Sequence, residues 1–193
     1  MDLAEVSEMT DAPATTLLTA DDLAKMPDDG WRYELDHGRL IRMTAAFTRP
    51  SLVTATMTVE MGGFVRRHRL GMVGSAEWGF LLARDPDTVR APDLSFVTAE
   101  RIAAAGIPSG YWPGPPDLAV EVLSPSNRPG EMLDKVADYL AAGTRLIWVI
   151  DPEARTATVF RIDGTTARLG EHGTLDGEDV LPDFRLKLDE IWV

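Results

Sequence analysis

Two apolar segments separated by an amphipathic helix constrain the fold of this 193-residue chain more than any other feature. The first, Asp117-Leu-Ala-Val-Glu-Val-Leu123, has the composition of a buried strand. The second, Leu146-Ile-Trp-Val-Ile150, is continuously apolar, which is typical of a central strand. Between them, residues 129–142 predict a helix that ends at Gly143. Residues 117–150 are therefore expected to form a strand–helix–strand unit.

The predicted helix carries its apolar side chains at i, i+3, i+4, i+7 and i+8 spacing, which indicates a face that packs on the sheet. The members of this expected stripe are Leu133, Val136, Ala137, Leu140 and Ala141. Lys135 then lies about 180° around the helix from the centre of this stripe, on the side that also carries Tyr139. Two arrangements are then open: the helix is covered on both sides, or Lys135 is solvated.

Antiparallel hairpins are predicted on both sides of this unit. Near the N-terminus, residues 32–36 and 39–43 flank the turn His37-Gly38, and near the C-terminus residues 156–162 and 166–169 flank Asp163-Gly164. A helix over residues 51–69 and strand-like runs at 72–83 and 89–97 complete the pattern. This order predicts an α/β or α+β fold with a single domain.

Charge and composition exclude several classes of protein. The chain has 31 acidic and 19 basic residues, a formal net charge of −12 and no cysteine. Without cysteine there is no disulfide framework and no thiolate zinc site. No apolar run reaches the about 18 residues of a membrane span, and the N-terminus lacks the basic residues of a signal peptide, so a cytoplasmic protein is expected. The acidity argues against a non-specific nucleic-acid binder.

The negative charge is concentrated near the N-terminus. Residues 1–30 hold eight acids and one base, whereas residues 31–72 hold three acids and seven bases. We therefore predict a disordered acidic leader over residues 1–18 and one folded domain over residues 19–193. The basic stretch at 31–72 offers phosphates a more favourable face than the net charge suggests.

Two carboxylates interrupt otherwise apolar segments. Glu121 lies in the centre of the apolar run 118–123, and Asp93 alternates with Leu94 and Phe96 in a second strand-like run. A buried carboxylate is costly unless it is paired, protonated or bound to a metal ion. If the two strands are neighbours, the two carboxylates meet on one face, where a hard divalent cation such as Mg²⁺ would balance their repulsion.

Structural alternatives exist for the same residues. Asp93 follows a proline and could accept hydrogen bonds locally, without a ligand. Glu121 could be neutralised by a buried arginine, with Arg90 as one possibility. Glu34 and Glu77 lie on neighbouring predicted strands and are candidates for accessory metal ligands, although cross-strand pairing explains acidic residues at such positions equally simply.

Several motifs of the chain resemble those of one family. They are Tyr33-Glu-Leu-Asp-His-Gly-Arg-Leu40, Val89-Arg-Ala-Pro-Asp-Leu-Ser-Phe96, Pro116-Asp-Leu-Ala-Val-Glu-Val-Leu-Ser-Pro-Ser-Asn127, Leu133-Asp-Lys-Val-Ala-Asp-Tyr-Leu140 and Trp148-Val-Ile-Asp-Pro152. Together they resemble the Uma-two (Uma2) family of predicted restriction endonucleases, and the resemblance extends from about residue 31 to the C-terminus. The family is assigned to the PD-(D/E)XK nuclease-like fold. This implies an α/β restriction-endonuclease-like domain, with a mixed central sheet flanked by helices.

The resemblance also implies a site and a reaction. Asp93 matches the metal-binding aspartate of the family and Glu121 its second carboxylate, while Lys135 matches a lysine on the following helix. The lysine that this fold usually carries two residues after the glutamate is replaced by Leu123. The implied function is Mg²⁺- or Mn²⁺-dependent hydrolysis of DNA phosphodiester bonds, with Lys135 orienting the nucleophile.

Two other functions remain open at this stage. The replaced lysine and the acidic balance favour a catalytically inactive binding module on the same fold. A structural protein that self-associates, for example as a homodimer through hairpins and an exposed loop around Trp112, is the second alternative. Metal binding distinguishes the nuclease from the inactive module.

Overall fold

A computed structural model describes residues 16–43, 47–126 and 128–192 of the chain. Within these residues there are four α-helices and thirteen strands. The helices are α1 (Ala20–Ala24), α2 (Thr48–His68), α3 (Ala99–Ala105) and α4 (Pro129–Ala142). The strands are β1 (Tyr33–Asp36), β2 (Arg39–Arg42), β3 (Gly71–Ser75), β4 (Phe80–Ala83), β5 (Thr88–Arg90), β6 (Leu94–Thr98), β7 (Trp112–Pro113), β8 (Leu118–Val122), β9 (Leu146–Asp151), β10 (Thr156–Arg161), β11 (Thr166–Leu169), β12 (Thr174–Asp176) and β13 (Arg185–Lys187).

The strands of the described residues form a six-stranded, a five-stranded and a two-stranded sheet. The strand order is β11-β10-β9-β8-β6-β3 in the first, β2-β1-β5-β4-β7 in the second and β12-β13 in the third. Strands β8 and β9 are parallel and are joined through α4, which confirms the strand–helix–strand unit. Both predicted hairpins are present, as β1–β2 and β10–β11. The architecture is therefore the expected mixed α/β fold.

The six-stranded sheet is covered on both faces. One face packs against the buried side of α2 and against the C-terminal segment, with Val53, Met57, Leu94, Val120 and Phe184 in one apolar cluster. On the opposite face α4 packs on the sheet, and this second cluster contains Ala119, Met132, Val136, Tyr139 and Ile147. Because side chains alternate along a strand, Glu121 shares the α4 face with Ala119.

The two strand-like runs predicted at 72–83 and 89–97 are each divided between the two large sheets. The first run breaks after β3 at a turn in which the Trp78 amide donates to the Ser75 carbonyl at 2.8 Å. The second breaks between β5 and β6, where Pro92 has no amide hydrogen for a ladder. Asp93 therefore lies at the point where the chain crosses from one sheet to the other.

The apolar stripe predicted for α4 is wrong in most of its members. Leu133 is 58% exposed, and Ala137 and Ala141 are exposed as well. The face that packs on the sheet is instead the row Met132, Val136 and Tyr139, with Lys135 at its edge. The helix is thus rotated relative to the prediction, because a large aromatic side chain fills the sheet interface better than the alanines do.

Trp112, expected on an exposed loop that supports self-association, is in fact 1% exposed. It lies in β7 and packs against Phe80, Val97 and Trp78. A two-residue strand pairs this part of the loop with β4, which brings the indole into the core. Trp112 therefore provides no surface for a dimer. No helix within the described part of the chain is long and apolar enough to cross a membrane.

Helix α1 begins at a capping box. The Thr19 side chain accepts from the Asp22 amide and the Asp22 side chain accepts from the Thr19 amide, a complete capping box. This capping box fixes the N-terminal end of α1, the first element of the described residues. The predicted leader over residues 1–18 falls mostly outside the described residues and stays a prediction.

Candidate active site

Three carboxylates line one cleft where the two large sheets meet. Glu34 on β1, Asp93 before β6 and Glu121 on β8 contribute side chains to a cavity of about 200 Å³, which we call the carboxylate cleft. Glu77 also lines this cleft, but its side chain is exposed and pairs with Arg32 at 3.8 Å. The structure therefore brings Glu34 together with Asp93 and Glu121 in the interior of the cleft, and places Glu77 at its rim.

Asp93 is held against the central strand of the site. Its Oδ2 accepts a hydrogen bond of 2.7 Å from the backbone amide of Val122, the residue after Glu121. Burial raises the pKa of Asp93, and the Val122 hydrogen bond opposes that rise because it favours the charged form. This contact follows from the antiparallel pairing of β6 with β8, in which Leu94 lies opposite Val120.

Glu121 is the most strongly perturbed carboxyl group of the site. It is 4% exposed, and burial raises its pKa from 4.5 to about 7 although the Lys135 ammonium acts in the opposite direction. The hydroxyl of Tyr139 donates to Glu121 Oε1 at 2.9 Å. A carboxyl group of this kind is held in one orientation and is poised to exchange its proton for a cation.

Lys135 reaches the carboxylates from α4. Its Nζ lies 2.9 Å from Glu34 Oε1 and 3.5 Å from Glu121 Oε1. Burial alone would lower the pKa of this ammonium group, but the neighbouring carboxylates of Glu121 and Glu34 raise it above its ordinary value. Lys135 is therefore protonated and bridges two of the three carboxylates. Leu123, at the usual lysine position, is half-buried and packs in the apolar cluster beneath α4.

A buried arginine, Arg90, holds Glu34 and two further carboxylates beside the site. Its guanidinium contacts Glu34 at 3.2 Å, Asp36 at 2.9 Å and Asp138 at 2.5 Å. The possible Arg90–Glu121 pair is therefore replaced by pairs with three other carboxylates, and Lys135 neutralises Glu121 instead. The backbone amide of Ala91 donates to Glu34 Oε1 at 3.1 Å, so that Glu34 is fixed by three donors.

Sequence reasoning missed the contributions of Asp138 and Tyr139. A signal for them was present, because Asp138 and Tyr139 follow Lys135 by three and four residues and therefore neighbour it on α4. That signal was overridden by the more apolar row that contains Leu133. Arg90 was considered only as a partner of Glu121.

A second group of possible metal ligands lies next to the site. Asp36, His37 and Asp138 place one ligand atom each within 4.8 Å of one another. The two carboxylates of this group already accept hydrogen bonds from Arg90. The guanidinium thus supplies the positive charge that a cation would bring, and we assign this group to the Arg90 network.

Comparison with known proteins identifies the family and the fold of the chain. The sequence profile of the family Uma2, described as "Putative restriction endonuclease", matches residues 20–189. A crystal structure described as "a putative nuclease belonging to DUF820", from Anabaena variabilis, superimposes with a TM-score of 0.78 at 19% identity. That match covers 91% of this chain and 97% of the other, and at this identity it shows the fold.

The chain matches none of the curated proteins with which it was compared. The family profile nevertheless covers nearly all of the described residues. On these grounds the protein belongs to the Uma2 family.

Proposed function

We propose that this protein is a divalent-metal-dependent endonuclease that hydrolyses phosphodiester bonds of DNA, with Mg²⁺ or Mn²⁺ as its cofactor. The observation that carries the proposal is the convergence of Asp93, directly before β6, Glu121 on β8 and Lys135 on α4 at one cleft. Membership of a family described as restriction-endonuclease-like supports the same activity. In this proposal Asp93 and Glu121 hold the cation, and the substrate is DNA.

The donor set of the cleft fits a hard cation. Glu34, Asp93 and Glu121 offer only carboxylate oxygens, which Mg²⁺ and Mn²⁺ prefer to nitrogen or sulfur. Lys135 supplies one positive charge inside the cleft, and Arg90 is shared with two further carboxylates. The raised pKa values of Asp93 and Glu121 show that burial works against their charged forms, which an added cation would stabilise.

Each protein group then has a distinct part in catalysis. When bound, a divalent cation supplies Lewis-acid polarisation of the phosphate and makes water a better nucleophile at neutral pH. The protonated Lys135 donates hydrogen bonds that orient the attacking water or stabilise charge that develops on the phosphate. Because its Nζ is anchored between Glu34 and Glu121, it can act at the cleft without reorganisation.

The remaining groups position these three. Tyr139 and the Val122 amide fix the orientation of Glu121 and Asp93. Glu34, an accessory candidate, is best placed to hold Lys135, since its Oε1 accepts from Nζ at 2.9 Å. Glu77, the other accessory candidate, is given no role in this proposal, because its side chain is exposed at the rim.

Metal binding is the first experiment. Calorimetric titration of the full chain with Mn²⁺ is expected to show a site that is lost in both Asp93→Asn and Glu121→Gln. Glu60→Gln, which removes an exposed carboxylate on α2, is the matched control and should bind as the wild type does. Binding that persists unchanged in both site variants would contradict the assignment of the ligands.

DNA cleavage is the second experiment. Wild type with Mg²⁺ or Mn²⁺ is expected to convert labelled DNA to shorter products, and Lys135→Gln should slow cleavage by about 10²-fold or more, typical for loss of one preorganised donor. Metal binding without cleavage of either single-stranded or duplex DNA would favour the inactive binding module. Absence of both would remove the nuclease proposal altogether.

A further inference from the structure

An exposed aromatic ring stands at the entrance of the carboxylate cleft. Trp31 is 46% exposed, yet it lines the same cleft as Asp93 and Glu121. The guanidinium carbon of Arg42 lies over its ring, 4.1 Å from the ring centroid. One side of the indole is therefore backed by a cation, while a large part of its surface faces solvent.

The segment that carries Trp31 is fixed by its own hydrogen bonds. Asp29 accepts from the Trp31 amide at 3.0 Å through one carboxylate oxygen and from the Tyr33 hydroxyl at 2.8 Å through the other. Strand pairing then fixes Arg42, which lies opposite Tyr33 in the β1–β2 hairpin. The exposed ring is thus held in place before any ligand arrives, at the cost of leaving apolar surface in water.

A second cleft adjoins the first along the same hairpin. We call it the arginine cleft; it has a volume of about 360 Å³ and is lined by Arg39, Arg42, Met43 and Lys135. Its acidic lining residues include Asp36, which pairs with Arg90, together with Glu131 and Asp134. Met43 lines both clefts, and Lys135 reaches from the arginine cleft to the carboxylates. The Trp31–Arg42 pair therefore stands where the two clefts meet.

We propose that Trp31 stacks on an unpaired base of single-stranded DNA, whose backbone runs from the arginine cleft into the carboxylate cleft. This inference rests on the proposed nuclease function and names its substrate class. Arg39 and Arg42 contact phosphates on one side, and the scissile phosphate lies at Asp93 and Glu121. An aromatic ring beside basic side chains that reach the backbone is the usual means of holding single strands without base-specific hydrogen bonds.

The depth of the cleft favours a single strand over a duplex. Glu34 and Glu121 are buried and Asp93 is half-buried, so a phosphate reaches them only if its strand enters the cleft. In a duplex the bases are stacked on one another, and exposing one base for Trp31 would first require unstacking and unpairing. An unpaired strand presents that base face at little cost.

Fluorescence anisotropy with the full chain tests the inference. One probe is a labelled oligothymidylate of roughly a dozen nucleotides, a length that spans a typical single-strand site. The other is a labelled hairpin duplex of A·T pairs, and Ca²⁺ is present with both probes. Trp31→Ala is expected to weaken oligothymidylate binding by about tenfold or more, the range for loss of one stacked base. Trp31→Tyr, which keeps a stacking ring, should restore most of the affinity. Trp192→Phe, a substitution in the C-terminal segment, is the control and should bind as the wild type does.

The outcomes separate this inference from the proposed function. Equal affinity of wild type and Trp31→Ala for the single strand overturns the stacking role, even if the protein cleaves DNA. Tighter binding of the duplex than of the single strand overturns the substrate class. Trp31-dependent binding of the single strand without any cleavage leaves the inference intact and contradicts the nuclease proposal.

Discussion

At the scale of single residues, the site is an arrangement of buried charges that compensate one another. Lys135 lies between Glu34 and Glu121, and Arg90 lies between Glu34 and two further carboxylates. Buried ion pairs of this kind contribute little net stability, because desolvation offsets the attraction between the charges. Removing one partner is nevertheless costly, since it leaves the other charge buried and unpaired. These residues are therefore better explained by the chemistry of the site than by stability.

The pKa of Glu121 predicts how stability changes with pH in the absence of metal. Its folded-state pKa of about 7 lies above its ordinary value of 4.5, so the folded protein binds this proton more tightly than the unfolded chain. The contribution of Glu121 to stability is therefore fully present below about pH 4.5 and is lost as the pH rises through about 7.

We expect Glu121→Gln to remove this loss of stability with rising pH, which is on the order of a few kcal/mol in the free energy of unfolding. The measurement is urea denaturation of wild type and Glu121→Gln between pH 5 and pH 8 (roughly the window that linkage defines), with chelator present. Parallel pH profiles for the two proteins would show that Glu121 does not titrate in this range. Glu60→Gln, which also removes one carboxylate, should keep the wild-type profile.

Replacement of Lys135 should show how strongly its positive charge stabilises the carboxylates of the cleft. Lys135→Gln leaves Glu34 and Glu121 without their shared cation, and we expect a loss of about 3 kcal/mol in the free energy of unfolding without metal. Because a bound cation would compensate the same carboxylates, Mn²⁺ should stabilise the variant more than it stabilises the wild type. Thermal denaturation with and without Mn²⁺ measures both effects, and an equal Mn²⁺ shift in the two proteins would contradict this prediction.

At the scale of secondary structure, α4 determines how the site is assembled. Its inner row packs Met132, Val136 and Tyr139 on the sheet, and the same rotation turns Lys135 towards the carboxylates. The side chains that bury apolar surface and those that carry charge are thus adjacent on one helix. Packing of the row sets the position of the ammonium group.

Adjacent residues of α4 should therefore respond very differently to truncation. Met132 is 7% exposed and Leu133 is 58% exposed, although both are large apolar side chains. We expect Met132→Ala to lower the free energy of unfolding by about 2 kcal/mol and Leu133→Ala to lower it by less than about 0.5 kcal/mol. Chemical denaturation of both variants measures the difference. A larger loss for Leu133→Ala would favour the stripe predicted from the sequence.

At the scale of the whole molecule, the net charge opposes the proposed substrate. The chain carries −12, and residues 1–15 contain four acids and no base. Helix α1 follows these residues, and a capping box at Thr19 satisfies the amides at its N-terminal end. The four acids therefore precede the capping box that begins the first described helix.

Deletion of residues 1–15 should strengthen DNA binding at low salt. The change removes four negative charges that repel phosphates, and the gain should shrink as ionic strength rises because salt screens exposed charges. Affinity for oligothymidylate over a salt series measures the effect, and the melting temperature is the control for folding. A gain that does not depend on salt would require a steric explanation.

Local spacing was sufficient to predict most of the elements. The turns at His37-Gly38 and Asp163-Gly164 and the helix end at Gly143 each depend on a few consecutive residues. Alternation within each strand-like run likewise predicts that one carboxylate, Asp93 or Glu121, interrupts its apolar side chains. Residues close in sequence decide such features, so they can be read without a tertiary structure.

The sequence alone therefore determined the strand–helix–strand unit, the two hairpins and the pair of carboxylates that interrupt apolar strands. Only the tertiary structure decided which sheet each half of the runs 72–83 and 89–97 joins and which face of α4 is buried. It also decided that Lys135, rather than Arg90, neutralises Glu121. Those choices depend on side chains and strands that are brought together from different elements, and close packing and charge compensation select among partners that local periodicity cannot distinguish.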